Sequence, residues 1–421
     1  QNYHVLVAGP ATYIENIVVN KELDISGANY TVNPNTGSRG PESILMTAII
    51  EVGGSNNSRI VAVDANNVKI NGFLLDGNNP ALTSGFTNNV GADMDIRNGI
   101  DNAKGIQNLR VENNIIKNMV YYGVRIQSTT GLSPAVSSGH EIHNNRFMDM
   151  GTYQTVPSGW GLFGGGVLLQ NSHYAKITNN LMLNVRIGVQ LGNFQAANPN
   201  GLFVHTIDNN QIQARRIGIF YNLLRYSPWT VSNNEITGLS STDEGTIGGS
   251  WRGLRVTSVG LAGMGTSTFT NNDVDGSAIS NINKEGINVW NVTDNSRPIF
   301  NGGTITGVNT GAMLMNHDAS NGNAADGAHA TLTNVNISAT GVGVHLLDSP
   351  SSTTHANVQA TATNNFIVGG AEGVKLEEAA GGTVTGTVNN NSIIGQSGFA
   401  IDATTITNIV AGTCNWYGSK C

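Results

Sequence analysis

Four acidic residues are the candidates for acid–base chemistry in this 421-residue chain: Asp149, Asp208, Asp243 and Glu244. Hydrolysis of a glycosidic bond uses two carboxylates about 5–10 Å apart, one on each side of the scissile bond. Asp243 and Glu244 are neighbours in TDEGTIGG, so a working pair would combine one of them with Asp149 or Asp208. The alternative for each residue is a solvated surface charge. The histidines lack the spacing of metal ligands, so we expect no metal site.

Planar polar side chains recur at alternate positions of short segments such as YGVRIQS (122–128) and GGVLLQN (165–171). Alternate side chains of an extended strand point to the same face, which places these groups on one outward face. Guanidinium and amide groups hydrogen-bond sugar hydroxyls and carboxylates in pairs. The other interpretation is that any exposed sheet carries polar residues. The predicted glycan-binding residues on this face are Arg125, Gln127, Gln170, Gln190, Asn222, Arg255 and Trp290.

Aromatic residues lie in the longer segments beside the same face. Trp160 belongs to GTYQTVPSGWGLFGG (151–165), and Tyr226 and Trp229 belong to RYSPW (225–229). Aromatic rings stack on the apolar faces of pyranose rings, which predicts that these three residues also contact a glycan. The alternative is that the rings fold back as lids over a core.

An internal repeat sets the positions of all these residues. A short apolar–polar alternation closed by Asn-Asn occurs eight times, for example in LRVENNIIKNM (109–119), AKITNNLMLNV (175–185) and TATNNFIVGG (361–370). Each copy is predicted to be two strands joined by an asparagine turn, and the segment that often opens with glycine supplies a third strand. Three strands therefore recur every 24 to 38 residues.

Strands this short, with no helical pattern between them, are predicted to stack coil upon coil as a right-handed parallel β-helix. Aliphatic side chains would fill its core, and stacked asparagines would hydrogen-bond along its axis. The prediction is an all-β, single-domain chain of about eleven three-strand coils over residues 1–421. Residues 1–48 would form the N-terminal coil and a covering loop, and residues 402–421 a C-terminal cap.

Composition excludes several classes of partner. The 21 basic residues are spread without runs and the net charge is −7, whereas nucleic-acid binding needs clustered Lys and Arg. No stretch approaches the roughly 20 apolar residues of a membrane helix and no leader pattern is present, so we expect no membrane insertion and a signal peptide already removed. Cys414 and Cys421 are predicted to form a local disulfide, because a reducing compartment gives no reason for a lone pair there.

The chain resembles the right-handed β-helix repeat proteins of bacterial cell surfaces and secretions, within the pectate-lyase-like superfold. Beside the coils, the resemblance rests on ATYIENIVVNKELDISGAN (11–29), NPNTGSRGPES (33–43), VKINGFLLDGNNPAL (68–82) and GTCNWYG (412–418). It implies a secreted, extracellular or cell-surface location. It implies no single activity, because the superfold hosts lyases, glycosidases, epimerases, adhesins and structural proteins. The Asp-Asp and Gly-His-Gly motifs of its polygalacturonase-like enzymes do not occur here, and no cofactor is expected.

Two functions stay open. The first is an extracellular β-helix protein with a structural or adhesive role that binds a polysaccharide or cell-surface glycan. The alternative is a secreted polysaccharide-active enzyme, a hydrolase or lyase; the missing motifs favour the first and the aromatic loops the second.

Homotypic assembly is a further hypothesis. Proteins of this group usually begin with a helix that caps the first coil, whereas this chain begins in the strand-like YHVLVAG (3–9). An open first coil would let copies associate into a fibre, unless the loop 30–48 covers it.

Overall fold

The structure is a computed structural model that describes residues 3–6, 9, 11–52, 58–102, 104–128, 137–151, 164–192, 205–222, 228–240, 250–259, 266–280, 283–292, 294–316, 327–349, 357–378, 382–406 and 412–418. The described residues form two compact units, the first ending at Arg215 and the second beginning at Arg216. Within these ranges no helix has the length and apolarity to cross a membrane.

The first unit consists of short strands. They are β1 (Tyr3–Leu6), β2 (Ala11–Ile14), β3 (Ile17–Val19), β4 (Leu23–Ser26), β5 (Ser43–Met46), β6 (Arg59–Val63), β7 (Lys69–Asn71), β8 (Leu74–Asp76), β9 (Asn98–Asn102), β10 (Arg110–Glu112), β11 (Ile115–Lys117), β12 (Tyr122–Gln127), β13 (Glu141–His143), β14 (Arg146–Met150), β15 (Gly165–Gln170), β16 (Lys176–Thr178), β17 (Leu181–Gly192), β18 (His205–Asp208) and the first part of β19 (Gln211–Asn222).

The second unit contains the rest of β19 and one 3₁₀ turn, Asp294–Ser296. Its other strands are β20 (Trp229–Ser232), β21 (Glu235–Gly238), β22 (Trp251–Val259), β23 (Thr268–Thr270), β24 (Asp273–Asp275), β25 (Lys284–Val292), β26 (Ile299–Asn301), β27 (Thr304–Asn316), β28 (Ala328–Thr333), β29 (Asn336–Asp348), β30 (Val358–Thr363), β31 (Phe366–Val368), β32 (Glu372–Glu377), β33 (Val384–Asn389), β34 (Ser392–Ile394) and β35 (Ile401–Asp402).

Three parallel sheets run through each unit, because every strand pairs with the equivalent strand of the next coil. In the first unit, sheet A contains β1, β4, β7, β10, β13, β16 and β18. Sheet B contains β2, β5, β8, β11, β14 and the first half of β17. Sheet C contains β3, β6, β9, β12, β15 and the second half of β17.

The second unit repeats this arrangement. Its sheet A contains β20, β23, β26, β28, β30 and β33. Its sheet B contains β21, β24, β31, β34 and the first parts of β27 and β29. Its sheet C contains β22, β25, β32, β35 and the second parts of β19, β27 and β29.

The number of coils is larger than predicted. Sheet A has seven strands in the first unit and six in the second among the described residues, where the sequence predicts about eleven coils. Residues 1–48, predicted as one N-terminal coil and a covering loop, contain the first two of these strands, β1 and β4.

The two asparagines of each Asn-Asn turn have different structural roles. The first asparagine adopts the left-handed conformation, as at Asn144 (φ 55°) and Asn179 (φ 56°), which asparagine tolerates better than most residues. The second is buried and continues a side-chain ladder. In the first unit, Nδ2 of Asn114, Asn145 and Asn180 each donates to Oδ1 of the next ladder asparagine, at 3.1, 3.1 and 2.9 Å. The predicted axial stacking of asparagines is confirmed.

The loop between β4 and β5 lies along the side of the first unit. Nδ2 of Asn35 donates to the carbonyl oxygens of Asn145 and Asn179, and Nη1 of Arg39 donates to that of Asn113 at 2.6 Å. These carbonyls belong to the turns between sheets A and B, several coils away from β1. Asn35 and Arg39 therefore contact turns along the side of the first unit.

The C-terminal residues extend the ladder of the second unit by one step. The backbone N–H of Trp416 donates to the carbonyl of Asn391, and Asn415 Oδ1 accepts from Asn391 Nδ2 at 3.1 Å. Residues 412–418 therefore add a short parallel bridge beside β34. Cys414 is exposed, whereas Cys421 lies outside the described residues, so the disulfide stays a prediction.

Candidate functional site

The outward face of sheet C in the second unit carries one dense polar cluster. Phe220, Arg255 and Asn288 are in register on consecutive strands, so their side chains follow one another along the coils. The predicted residues Arg255 and Trp290 both belong to this cluster. The side chain of Asn222, also predicted, lies outside what the structure describes.

The indole of Trp290 is held against two arginines. The guanidinium carbon of Arg255 lies 4.3 Å from the ring centroid, and that of Arg252 lies 5.0 Å from it. Arg255 also lies 4.9 Å from the centroid of Phe220. Such contacts orient both partners, because a guanidinium group is attracted to the negative face of an aromatic ring. Trp290 stays half-buried.

Glu285 is the acidic member of the cluster and was missed by the sequence reasoning. Its Oε2 accepts from Arg252 Nε at 3.1 Å and from Asn288 Nδ2 at 2.5 Å. Glu285 is in register with Arg252 on the neighbouring strand. Neither residue occupies one of the outward positions that were deduced from the sequence alternation. One carboxylate thus serves a cluster that contains two arginines.

Two polar atoms of the cluster have no hydrogen-bond partner within the described part of the chain: Arg255 Nε and Asn288 Oδ1. Burial lowers the pKa of Arg255 well below its usual value, and the positive charges of Arg252 and Arg216 lower it further. The neighbouring arginines give the site an excess of positive charge, and the two unpaired atoms leave it one hydrogen-bond donor and one acceptor without partners. A ligand with a carboxylate beside a hydroxyl would supply the complementary groups.

In the first unit, Arg125 is committed to an ion pair. Its Nε and Nη2 contact the two oxygens of Asp101 at 3.0 and 2.9 Å, and both side chains are buried. Burial raises the pKa of the Asp101 carboxyl, while Arg125 pulls it in the opposite direction. Arg125 is therefore not the exposed sugar contact that the alternation suggested, because Asp101 occupies the same outward position one coil earlier.

The other predicted residues of this face fall into two groups. Gln190 is buried, and its Oε1 accepts a hydrogen bond from the hydroxyl of Tyr122. Gln127 and Gln170 are in register on β12 and β15 and are half-buried. Among the predicted residues of this face in the first unit, Gln127 and Gln170 are therefore the ones that are not buried.

Trp229 is a core residue. It is the first residue of β20, is 1% exposed, and packs edge-to-face against Tyr221 with ring centroids 5.6 Å apart. A ring this buried cannot stack on a sugar from a loop, as the sequence analysis expected. Trp229 follows the alternative, in which the aromatic ring packs against the core. Trp160 and Tyr226 lie outside the described residues.

Two of the four candidate carboxylates, Asp149 and Asp208, are described, so their predicted pairing with Asp243 or Glu244 stays a prediction. Asp149 lies on β14 of sheet B and accepts from Asn184 Nδ2 at 2.7 Å, whereas Asp208 ends β18 of sheet A. Asp243 and Glu244 lie outside the described residues. Among the residues that are described, no group of three or more His, Cys, Asp or Glu side chains is arranged to hold a metal ion.

A second polar contact occupies sheet C three coils beyond Arg255. His345 Nε2 lies 3.0 Å from Glu377 Oε2, and Lys375 Nζ lies 2.8 Å from the same oxygen. The lysine lowers the pKa of Glu377, and burial lowers the pKa of His345. Glu377 opposes the effect of burial on the pKa of His345, and the contact orients the imidazole ring.

Comparison with known proteins agrees with the architecture. The family model for a right-handed β-helix region matches residues 101–274. No curated protein sequence matches this chain. Among solved structures, PfbA, a surface adhesin of Streptococcus pneumoniae, is 12% identical, with 95% of this chain and 83% of that chain covered and a TM-score of 0.43. DFA-IIIase from Arthrobacter chlorophenolicus A6 in complex with GF2 is 12% identical, with 90% and 85% covered and a TM-score of 0.36.

The predicted all-β architecture is confirmed by the three parallel sheets and by the family match. The fold is that of a right-handed parallel β-helix, and the family model for such a region covers residues 101–274 of this chain.

Proposed function

We propose that this protein is an extracellular, adhesive β-helix protein that binds an acidic glycan on sheet C of its second unit. The observation that carries the proposal is the cluster of Arg255, Asn288 and Trp290, in which Arg255 Nε and Asn288 Oδ1 lack hydrogen-bond partners among the described residues. A carboxylate of the glycan would accept from the guanidinium group of Arg255, and a sugar ring would stack on the half-buried Trp290.

Charge supports an acidic ligand over a neutral one. Arg252 and Arg255 both contact Trp290, and Glu285 supplies one negative charge to the same cluster. Adding one ligand carboxylate would balance the two arginines. Hydrogen bonds to charged groups contribute about 1.5–3 kcal/mol, about twice the value for neutral pairs.

The test compares two ligands that share a sugar backbone and differ in whether its carboxyl groups are charged or methyl-esterified. Calorimetric titration with an oligogalacturonide and with its fully methyl-esterified form should show binding of the first and at least tenfold weaker binding of the second. Trp290→Ala should weaken binding by about 1–2 kcal/mol through lost stacking, and Arg255→Ala by about 1.5–3 kcal/mol. Lys176→Ala is the control, because it removes a positive charge from an exposed side chain of sheet A in the first unit.

Equal binding of both ligands would contradict the acidic specificity. Unchanged affinity in the Trp290 and Arg255 variants, with the ligand still bound, would place the site elsewhere. If neither ligand binds, the titration is repeated with a panel of other acidic glycans. Absence of binding across that panel would refute the proposed function.

The alternative function, a secreted polysaccharide-active enzyme, is favoured by the contact between His345 and Glu377. A carboxylate-oriented neutral imidazole is suited to accept a proton. Asn288 and His345 are two coils apart in register, or about 10 Å at the usual strand spacing, so both could face one bound oligosaccharide. Release of shortened products from the oligogalacturonide, abolished in His345→Gln, would establish catalysis; intact ligand after prolonged incubation would favour adhesion.

A further inference from the structure

A polar groove of about 270 Å³ lies on the first unit, on the turn side between sheets A and B. One wall is the loop between β4 and β5, and the other is the row of left-handed asparagines. The residues that bear on its chemistry are Asn35, Thr36, Asn144, Asn179 and Gln211. It belongs to a different face of the coil from sheet C, and none of its residues appears among the predicted site residues.

The loop wall is held in one orientation by hydrogen bonds. Nδ2 of Asn35 donates to the carbonyl oxygens of Asn145 and Asn179, both at 3.2 Å. Nη2 of Arg146 donates to the carbonyl oxygen of Pro34 in the same loop. Because two carbonyl acceptors fix the amide of Asn35, its Oδ1 points away from them, and this buried oxygen has no partner in the described residues.

The groove offers further hydrogen-bonding groups that the described chain does not use. The side-chain amides of Asn144 and Gln211 and the hydroxyl of Thr36 make no hydrogen bond within the described residues, and Thr36 and Gln211 are exposed. Each amide presents a donor beside an acceptor, as a pair of sugar hydroxyls does. None of the described lining residues carries a formal charge, so they offer a charged ligand no ion pair.

We propose that this groove binds one uncharged hexose ring, with Asn35 Oδ1 accepting from a ring hydroxyl and the amides of Asn144 and Gln211 bonding its neighbours. The volume is just below the roughly 300–1,000 Å³ of sites for drug-sized ligands, which suits a single sugar ring. The wall is already fixed before a ligand arrives, so little ordering is required on binding. A ligand this small binds with a dissociation constant on the order of 1–10 mM.

Saturation-transfer NMR on the full chain tests the proposal. The probes are the methyl β-D-glycosides of glucose, galactose and mannose, with glucuronate as the charged counterpart. At least one neutral glycoside should show saturable binding, and glucuronate should bind at least fivefold more weakly. Thr36→Trp should abolish binding by filling the groove, and Gln211→Ala should weaken it about three- to tenfold. Both positions are exposed, so both variants should fold, which circular dichroism checks.

Two controls separate this groove from sheet C. Trp290→Ala and Lys176→Ala should leave the affinity for the neutral glycoside unchanged, whatever the outcome at the acidic site. Absence of saturable binding by all three glycosides, or wild-type affinity in Thr36→Trp, would overturn the proposal. Equal binding of glucuronate would overturn its neutral specificity.

Discussion

Adjacent asparagines of one turn should respond oppositely to substitution. Asn144 is left-handed, with φ of 55°, and its side chain makes no hydrogen bond in the described chain. Asn145 is fully buried and belongs to the ladder. We expect Asn144→Gly to be nearly neutral and Asn145→Ala to destabilise the protein strongly, although sequence alone makes the two residues look equivalent.

The magnitude follows from the bonds of Asn145. Its Nδ2 donates to the carbonyl of Val111 at 2.8 Å and to Asn180 Oδ1 at 3.1 Å, and its Oδ1 accepts from the backbone N–H of Asn114 at 3.0 Å. Alanine leaves these buried groups without that partner, at about 1–3 kcal/mol for each group left unpaired. Allowing for relaxation, the free energy of unfolding should fall by about 3–5 kcal/mol. Glycine at position 144 adopts the same φ without a steric penalty, so its effect should stay within about 0.5 kcal/mol.

Urea unfolding followed by circular dichroism measures the difference. With an unchanged dependence on urea concentration, a shift of the midpoint reports the change in stability directly. Similar losses in Asn144→Gly and Asn145→Ala would refute the division of roles within the turn. A loss below about 1 kcal/mol for Asn145→Ala would show that the ladder is not a stabilising element.

Three further predictions concern acid, the cysteines and assembly. Burial lowers the pKa of His140 to about 3. Because an unfolded histidine titrates near 6.5, stability should be complete above that pH and fall below it by about 1.4 kcal/mol per pH unit; a urea midpoint that is constant from pH 7 to pH 5 would contradict this. Cys414 and Cys421 should form a disulfide, and mass measurement that finds two free thiols would disprove it. Ile14 of β2 and Val18 of β3 are 54% and 60% exposed. Because exposed apolar side chains favour contacts between molecules, copies of this chain should associate at micromolar concentration, and sedimentation that shows only monomers would exclude it.

The repeat was readable from sequence because each of its signals is local. Apolar alternation in segments such as 175–185 reports which side chains point inward, and Asn-Asn reports a turn whose geometry few other residues adopt. The predicted N-terminal coil, residues 1–48, lacks that turn signal, and strand pairing shows that β1 and β4 within it belong to successive coils.

The candidate site was predictable in part. Alternation placed Arg255 and Trp290 on the outward face of sheet C, where the structure brings them within 4.3 Å. The same alternation placed Arg125 there, but it could not show that a buried carboxylate from the preceding coil, Asp101, is already paired with it. The sequence suggested that Trp229 ends a loop, whereas it begins β20 and its ring packs against Tyr221.

The sequence by itself determined the all-β class, the three strands of each coil, the asparagine turns and the direction in which most strand side chains point, because these depend on neighbours within a few residues. Tertiary structure alone decided which outward groups remain available. That depends on contacts between residues 24 or more positions apart, such as Arg125 with Asp101 and Asn35 with Asn179, whose pairing is set by the register of the coils and the path of a loop. Side-chain type gives the chemistry a residue can perform, but only packing shows whether its polar atoms are already bonded.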